Sequence, residues 1–312
     1  MQAPARASKE YEAQKRLTLA TTLAARAQWG RMGGDWVSSF ASVGPRLAAI
    51  LAAGQVMSAR SGAAYVPEVL EEQGMTPEPQ GRVNANAFAG RAADGRPLES
   101  LLGMAVVRSK VGGTLEAGES FLDQVVQTEL EDAHRGAIQA ATIARPRTGY
   151  VRMVNTPCCA DCAVLAGKFY KANTGFLRHP NCRCFHLPTT DPASQYATYP
   201  DPSEVTGLTE GERKALDAGG DYSQVINARR GRDRTRGVRV TDRSKMTTNE
   251  GTTRRGVAYD ALGGERRTDV RSPGERVRRT TRQRLTPDAI YELSGDDVDL
   301  ARRLLTQHGY LL

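Results

Sequence analysis

The sequence predicts a mainly helical α+β fold, and three observations carry that prediction. Residues 10 to 144 are rich in Ala, Leu, Glu, Gln and Arg with almost no β-branched clusters, a composition that favours helices over strands. Residues 150 to 188 hold short alternating β-branched runs around clustered cysteines, which reads as a small strand-containing module. Residues 229 to 285 carry 18 Lys and Arg against 7 Asp and Glu, a net of +11, with few apolar residues; such a stretch cannot bury enough surface to fold alone and is expected as an extended arm. The expected organisation is a helical domain over 1–145, a cysteine-rich module over 146–188, a linker over 189–207, and a basic C-terminal arm with short helices over 208–312.

In the helical part, Leu19, Leu23 and Ala27 recur at i+4, and Leu47, Ile50, Leu51 and Met57 share another face. Leu122, Val126, Ala133, Ala137 and Ala140 form a long third stripe. Each stripe is expected to face a core. Gly33-Gly34, Gly44-Pro45, Gly74 and the polar stretch from Thr76 to Arg96 interrupt the pattern and predict loops. Glu116 to Ala144 reads as one helix of about 29 residues, roughly 43 Å long. Leu17 to Ala25 is broken by threonines and runs into Arg26, so it reads as helix and not as a leader. No unbroken run of about 18 apolar residues occurs, so no membrane span is expected. At 312 residues, 39% hydrophobic and 25% charged, the chain has material for about two domains with a core. Without an export signal it is expected in a reducing compartment, where clustered cysteines more often bind metal than pair as disulfides.

Tyr150 to Val154 alternates as a strand, and Gly167 to Tyr170 reads as a second strand after a turn. Prolines at 188, 192, 200 and 202 mark the linker. Beyond it, Thr209 is placed to cap a short helix ending at Gly219-Gly220, and Asp221 to cap another running to about Arg229. Thr286-Pro287 starts a later helix, Asp296 or Asp297 caps the last, and Gly309 stops it.

The cysteines carry the sharpest chemistry. Cys159 and Cys162 form a C-x2-C pair, and His179 and Cys182 form an H-x2-C pair about 16 residues on, followed by Cys184. Two donors three positions apart on a tight turn sit on one side of an ion, and two such turns complete the tetrahedron of a structural zinc site. Cys159, Cys162, His179 and Cys182 are the expected ligands, with Cys184 as the alternative, since Cys182 and Cys184 would share a strand face at period two. Such an ion would contribute to the folding of a module of about 40 residues, near the size at which a core alone stops sufficing. The competing account is buried thiols without metal, because cysteine is among the most buried residue types. A catalytic thiol would need a base and an orienting group, and no protease signature surrounds these cysteines. His134 and His308 sit in helical patterns as ordinary histidines, and His186 reads as a plain strand-end residue.

The string Cys159-x2-Cys162-x2-Leu165-x-Gly167-Lys168-x-Tyr170, followed by His179-Pro180-Asn181-Cys182-Arg183-Cys184, resembles the signature of phage Mu F-like minor capsid, or head morphogenesis, proteins. The stretch from Asp221 to Gly231, Thr252-Thr253-Arg254-Arg255-Gly256 and the closing His308-Gly309-Tyr310-Leu311 resemble the versions in tailed phages of actinobacteria. The cysteine module carries the resemblance over about 40 residues; the helical part matches only in its helix-rich character. The resemblance implies a non-enzymatic component inside the phage head, assembled in the host cytoplasm and associated with the portal vertex. It also implies portal protein as partner, with major capsid or scaffolding protein as further candidates. Some family members carry a maturation protease or a toxin domain, for which this chain offers no catalytic constellation.

The +11 stretch stands beside a remainder of net −3, a charge separation suited to holding an assembly with one end and a polyanion with the other. The expected contacts with the backbone of double-stranded DNA are Arg229, Arg230, Arg232, Arg234, Arg236, Arg254, Arg255, Arg266, Arg267, Arg278 and Arg279. Arginine outnumbers lysine there, favouring two-point phosphate contacts, and Tyr259 is the stretch's only aromatic residue, so base stacking is not expected. A charge run is equally a solvated segment or a match for an acidic portal surface. The alternative functional class is a zinc-dependent nucleic-acid enzyme or toxin effector; a zinc-containing DNA-binding regulator is a third.

Overall fold

The computed structural model describes residues 4–171, 184–196, 199–229, 247–252, 256–263 and 283–311. Among them are ten α-helices and seven short strands, so the fold is mainly α with small β elements. The chain divides into two compact units: Met1–Asn155 with Gly167–Thr198, and Thr156–Ala166 with Tyr199–Leu312.

In the first unit, α2 (Trp36–Glu72) packs against α1 (Ala5–Trp29), α3 (Leu98–Gly112) and α4 (Leu115–Ile143). Local chemistry sets the ends: the Asp35 carboxylate accepts from Val37 and Ser38 N–H, and Thr114 Oγ1 accepts from Ala117 N–H. Trp29, Leu47, Leu51, Leu102, Leu122 and Leu130 form one buried cluster. α4 has the 29 residues expected, with Leu122, Val126, Ala133 and Ala137 buried. The α1 stripe is different. Leu19 and Leu23 are 60% and 55% exposed, and Met57 of α2 is 56% exposed. α1 instead turns Glu10, Gln14, Thr21, Ala25 and Gln28 inward, and polar partners on α2 meet two of them: Ser58 Oγ meets Gln14 Oε1 at 2.8 Å and Ser61 Oγ meets Glu10 Oε1 at 2.5 Å. By length and composition α2 is long and apolar enough to cross a membrane, although polar residues and glycines break its apolar run; its Leu47, Leu51, Val66, Val69 and Leu70 are buried within the unit.

A three-stranded sheet closes this unit. β1 (Gly149–Val154) runs antiparallel between β3 (Phe169–Lys171) and β4 (Cys184–Thr189). Val151 and Leu187, facing partners in the β1/β4 register, are buried with Tyr65, Val66, Val69, Leu70 and Ile138. The strands of the expected cysteine module fall in the unit of the helices, and residues 156–166 between them fall in the second unit.

In that second unit, β2 (Cys158–Cys159) pairs in parallel with β5 (Val205–Thr206). α5 (Ala160–Ala163) follows β2 directly. α6 (Glu210–Asp217) starts with a capping box between Thr209 and Glu212, and Asp221 caps α7 (Tyr222–Asn227). β6 (Thr247–Thr248) pairs with β7 (Arg284–Leu285), with the short α8 (Ala258–Ala261) between them in sequence. Thr286 caps α9 (Pro287–Ser294) and Asp297 caps α10 (Val298–Gln307). Gly309, at φ 68°, takes the left-handed conformation that stops a helix. The described parts of the +11 stretch are thus folded and not extended: Arg284 is 1% exposed, donates from Nη1 to His308 O at 2.9 Å, and lies 4.3 Å from the Tyr310 ring.

Candidate functional site

The cysteine turn is built by short local steps. Cys158 and Cys159 pair with Val205 and Thr206, and Thr206 Oγ1 donates to Cys158 O at 3.2 Å. Cys159 is the N-cap of α5, which sets Cys162 one turn further on. Side chains three apart on a helical turn share a face, so the two sulfurs suit two corners of one tetrahedral ion. Cys162 is buried and Cys159 half-buried. His179 and Cys182, the other expected ligands, lie outside the described residues. Cys184, the alternative ligand, opens β4 in the first unit. Its Sγ accepts from Arg152 Nη2 at 3.1 Å, and its carbonyl accepts from Arg135 Nη2 at 2.7 Å. A guanidinium already meets that sulfur. Among the described residues no three His, Cys, Asp or Glu side chains converge as a metal site.

Gly167 brings the chain back. At φ 71° it occupies a conformation that favours glycine, and its N–H donates to Arg152 O at 2.8 Å while Arg152 N–H donates to Lys168 O at 3.0 Å. β3 then pairs Tyr170 with Tyr150, whose rings stack at 5.4 Å.

A second polar locus went unread in the sequence. Glu10 of α1 is 3% exposed, and its carboxylate meets His134 Nε2 of α4 at 2.9 Å, Ser61 Oγ of α2 at 2.5 Å and Arg6 Nη2 at 3.4 Å. Burial pushes the Glu10 carboxyl up, but hydrogen bonds from His134 and Ser61 and the charges of His134 and Arg6 outweigh it, leaving the group below its ordinary value. The pair borders a cavity of about 390 Å³ that is also lined by Tyr11, Gln14, Lys15, Glu131, Phe185 and His186. Ser61 donates to the carboxylate and not to the imidazole, so the order is not that of a nucleophile, its base and an orienting acid. His186 is no strand-end residue: it is 5% exposed in mid-β4, its carbonyl accepts from Tyr65 Oη at 3.1 Å, and its ring is 4.1 Å from that of Tyr150. The one signal in the sequence is the position of His134, beside Ala133 and Ala137 on the apolar face of α4; its partner lies 124 positions away.

Of the expected DNA contacts, only Arg229 falls among the described residues. Its Nε donates to Glu212 Oε1 at 2.6 Å and its Nη2 to Gly207 O at 2.5 Å, and the hydrogen bond to the fully buried Glu212 raises its pKa. Its guanidinium is thus engaged in an internal ion pair. Arg230, Arg232, Arg234, Arg236, Arg254, Arg255, Arg266, Arg267, Arg278 and Arg279 lie outside the described residues.

Searches against protein-family models, curated proteins and solved structures find no match to the chain.

Proposed function

We propose that this chain is a structural component of a tailed-phage head, a minor capsid or head morphogenesis protein of the Mu F-like kind, working inside the capsid at the portal vertex. The observation that carries the reading is the string from Cys159 to Tyr170 followed by His179 to Cys184. The described members of that string have positional roles: Cys159 stands at the N-terminal boundary of a turn, Gly167 takes a left-handed φ, Tyr170 stacks in the sheet and Cys184 starts β4. Residues that each set a turn or a strand favour an assembly element over a substrate site. Cys159 and Cys162 would hold a structural zinc together with His179 and Cys182, and the ion would tie two turns together.

The basic stretch supports a DNA contact that senses backbone charge and not sequence. Arg229 and Arg284 are engaged internally, so the contact rests on the remaining arginines of the stretch. The deciding experiment is co-expression with the portal protein of the same phage, followed by gradient sedimentation. Co-migration of the full chain with portal rings is expected. A chain that stays at the top of the gradient while the rings form would overturn the proposal.

A further inference from the structure

α3 is buried on one face through Leu98, Leu101, Leu102, Ala105, Val106 and Ser109 and bare on the other. On the bare face Met104, Val107 and Val111 are 37%, 45% and 80% exposed. With Ser100 they fall at i, i+4, i+7 and i+11, a narrow stripe along one helix line. Such spacing normally marks the seam between two helices. Glu99 and Lys110 are exposed on the same flank of the stripe, at opposite ends, and neither makes an ion pair among the described residues.

That arrangement is self-complementary. A two-fold axis midway between Met104 and Val107 sets Met104 of one copy against Val107 of the other, and Ser100 against Val111. It leaves both flanks on their own sides, so Glu99 of one copy falls about 3 Å along the axis from Lys110 of the other, twice over. A parallel pairing would instead put this flank of the two copies on opposite sides of the seam and leave Glu99 of one about 16 Å along the axis from Lys110 of the other, so the opposite charges would not meet. We propose that the bare face of α3 docks antiparallel on α3 of a second copy of this chain. The stripe spans roughly 17 Å, and its area is below the about 800 Å² per partner of a standard interface. The pair is therefore weak and forms as concentration rises. The inference is independent of the proposed function.

Sedimentation equilibrium of the nuclease-treated full chain, over a concentration series at low salt, tests it. The weight-average mass should climb above the 33.8 kDa of one chain toward twice that value. Val111→Glu should abolish the climb. Glu99→Lys should weaken association about tenfold through the lost and inverted pairs, and Glu99→Lys with Lys110→Glu should restore it. All three positions are exposed, and circular dichroism checks that each variant is folded. A wild-type mass constant at every concentration overturns the proposal; so does a climb that Val111→Glu leaves unchanged, or a double variant as weak as the single one.

Discussion

Arg284→Ala should loosen the C-terminal unit by about 3 kcal/mol. The side chain is 1% exposed. Its Nη1 donates to His308 O at 2.9 Å and its Nη2 to Gln224 Oε1 at 3.2 Å, while contacts at 3.4 Å to Gly309 O and Gln224 O are marginal. Hydrogen bonds from a charged donor contribute roughly 1.5 to 3 kcal/mol each, and a desolvated guanidinium over an aromatic ring, here Tyr310 at 4.3 Å, adds roughly 2 kcal/mol. Against these stands the recovered cost of a buried cation, several kcal/mol; that burial already holds the Arg284 pKa below its ordinary value. A net of about 3 kcal/mol corresponds to about 150-fold in the opening equilibrium. Hydrogen exchange read by mass spectrometry over residues 284–311 and 221–229 should accelerate by about two decades, with α4 peptides as internal reference. Arg284→Lys keeps the charge but loses the planar fork, and should fall between. An acceleration below about fivefold in the alanine variant would refute the reasoning, because the buried guanidinium would then contribute almost nothing net.

The Glu10 carboxyl lies below its ordinary value of 4.5, so its stabilisation is fully present above that pH and disappears as pH falls through the folded value. Acid titration followed by Trp29 and Trp36 fluorescence should show the helical unit weakening below pH 4.5, and Glu10→Gln should flatten that dependence. A Cβ at Gly62 would meet His134 O at 2.6 Å and its ring at 3.0 Å. Gly62→Ala should therefore push α2 from α4 and cost about 1 to 3 kcal/mol in urea unfolding; an unchanged midpoint would contradict this packing. Elemental analysis of purified protein should find about one zinc per chain, lost in Cys159→Ser; wild type without stoichiometric metal ends the zinc proposal. If about 6 phosphates are neutralised, binding of the full chain to random duplex DNA should show log K falling against log salt with slope near −5, and a flat response removes the DNA contact.

What the sequence determined is local. Thr209, Asp221, Thr286 and Asp297 sit at helix starts because their oxygens accept from the first free N–H groups, as in the structure. The span of α4 and the strand at 149–154 were legible for the same reason, since periodicity is a property of consecutive residues. Gly309 ends the last helix through its own left-handed φ. Half of the expected ligand set, Cys159 and Cys162, shares one turn because the two lie three positions apart.

Tertiary structure decided which faces and charges go inside. Leu19 and Leu23 point outward because α1 spends its inward face on Glu10 and Gln14, whose partners His134 and Ser58 come from helices 124 and 44 positions away. Cys184 was legible as a thiol, but its meeting with Arg152 follows from the β1/β4 register. Arg284 looked like one cation in a basic run, and became the buried anchor of the chain's closing residues only when carbonyls from two separate segments converged on it. Burial of a polar group is favourable only where its partners arrive in three dimensions, and no spacing along the chain encodes that arrival.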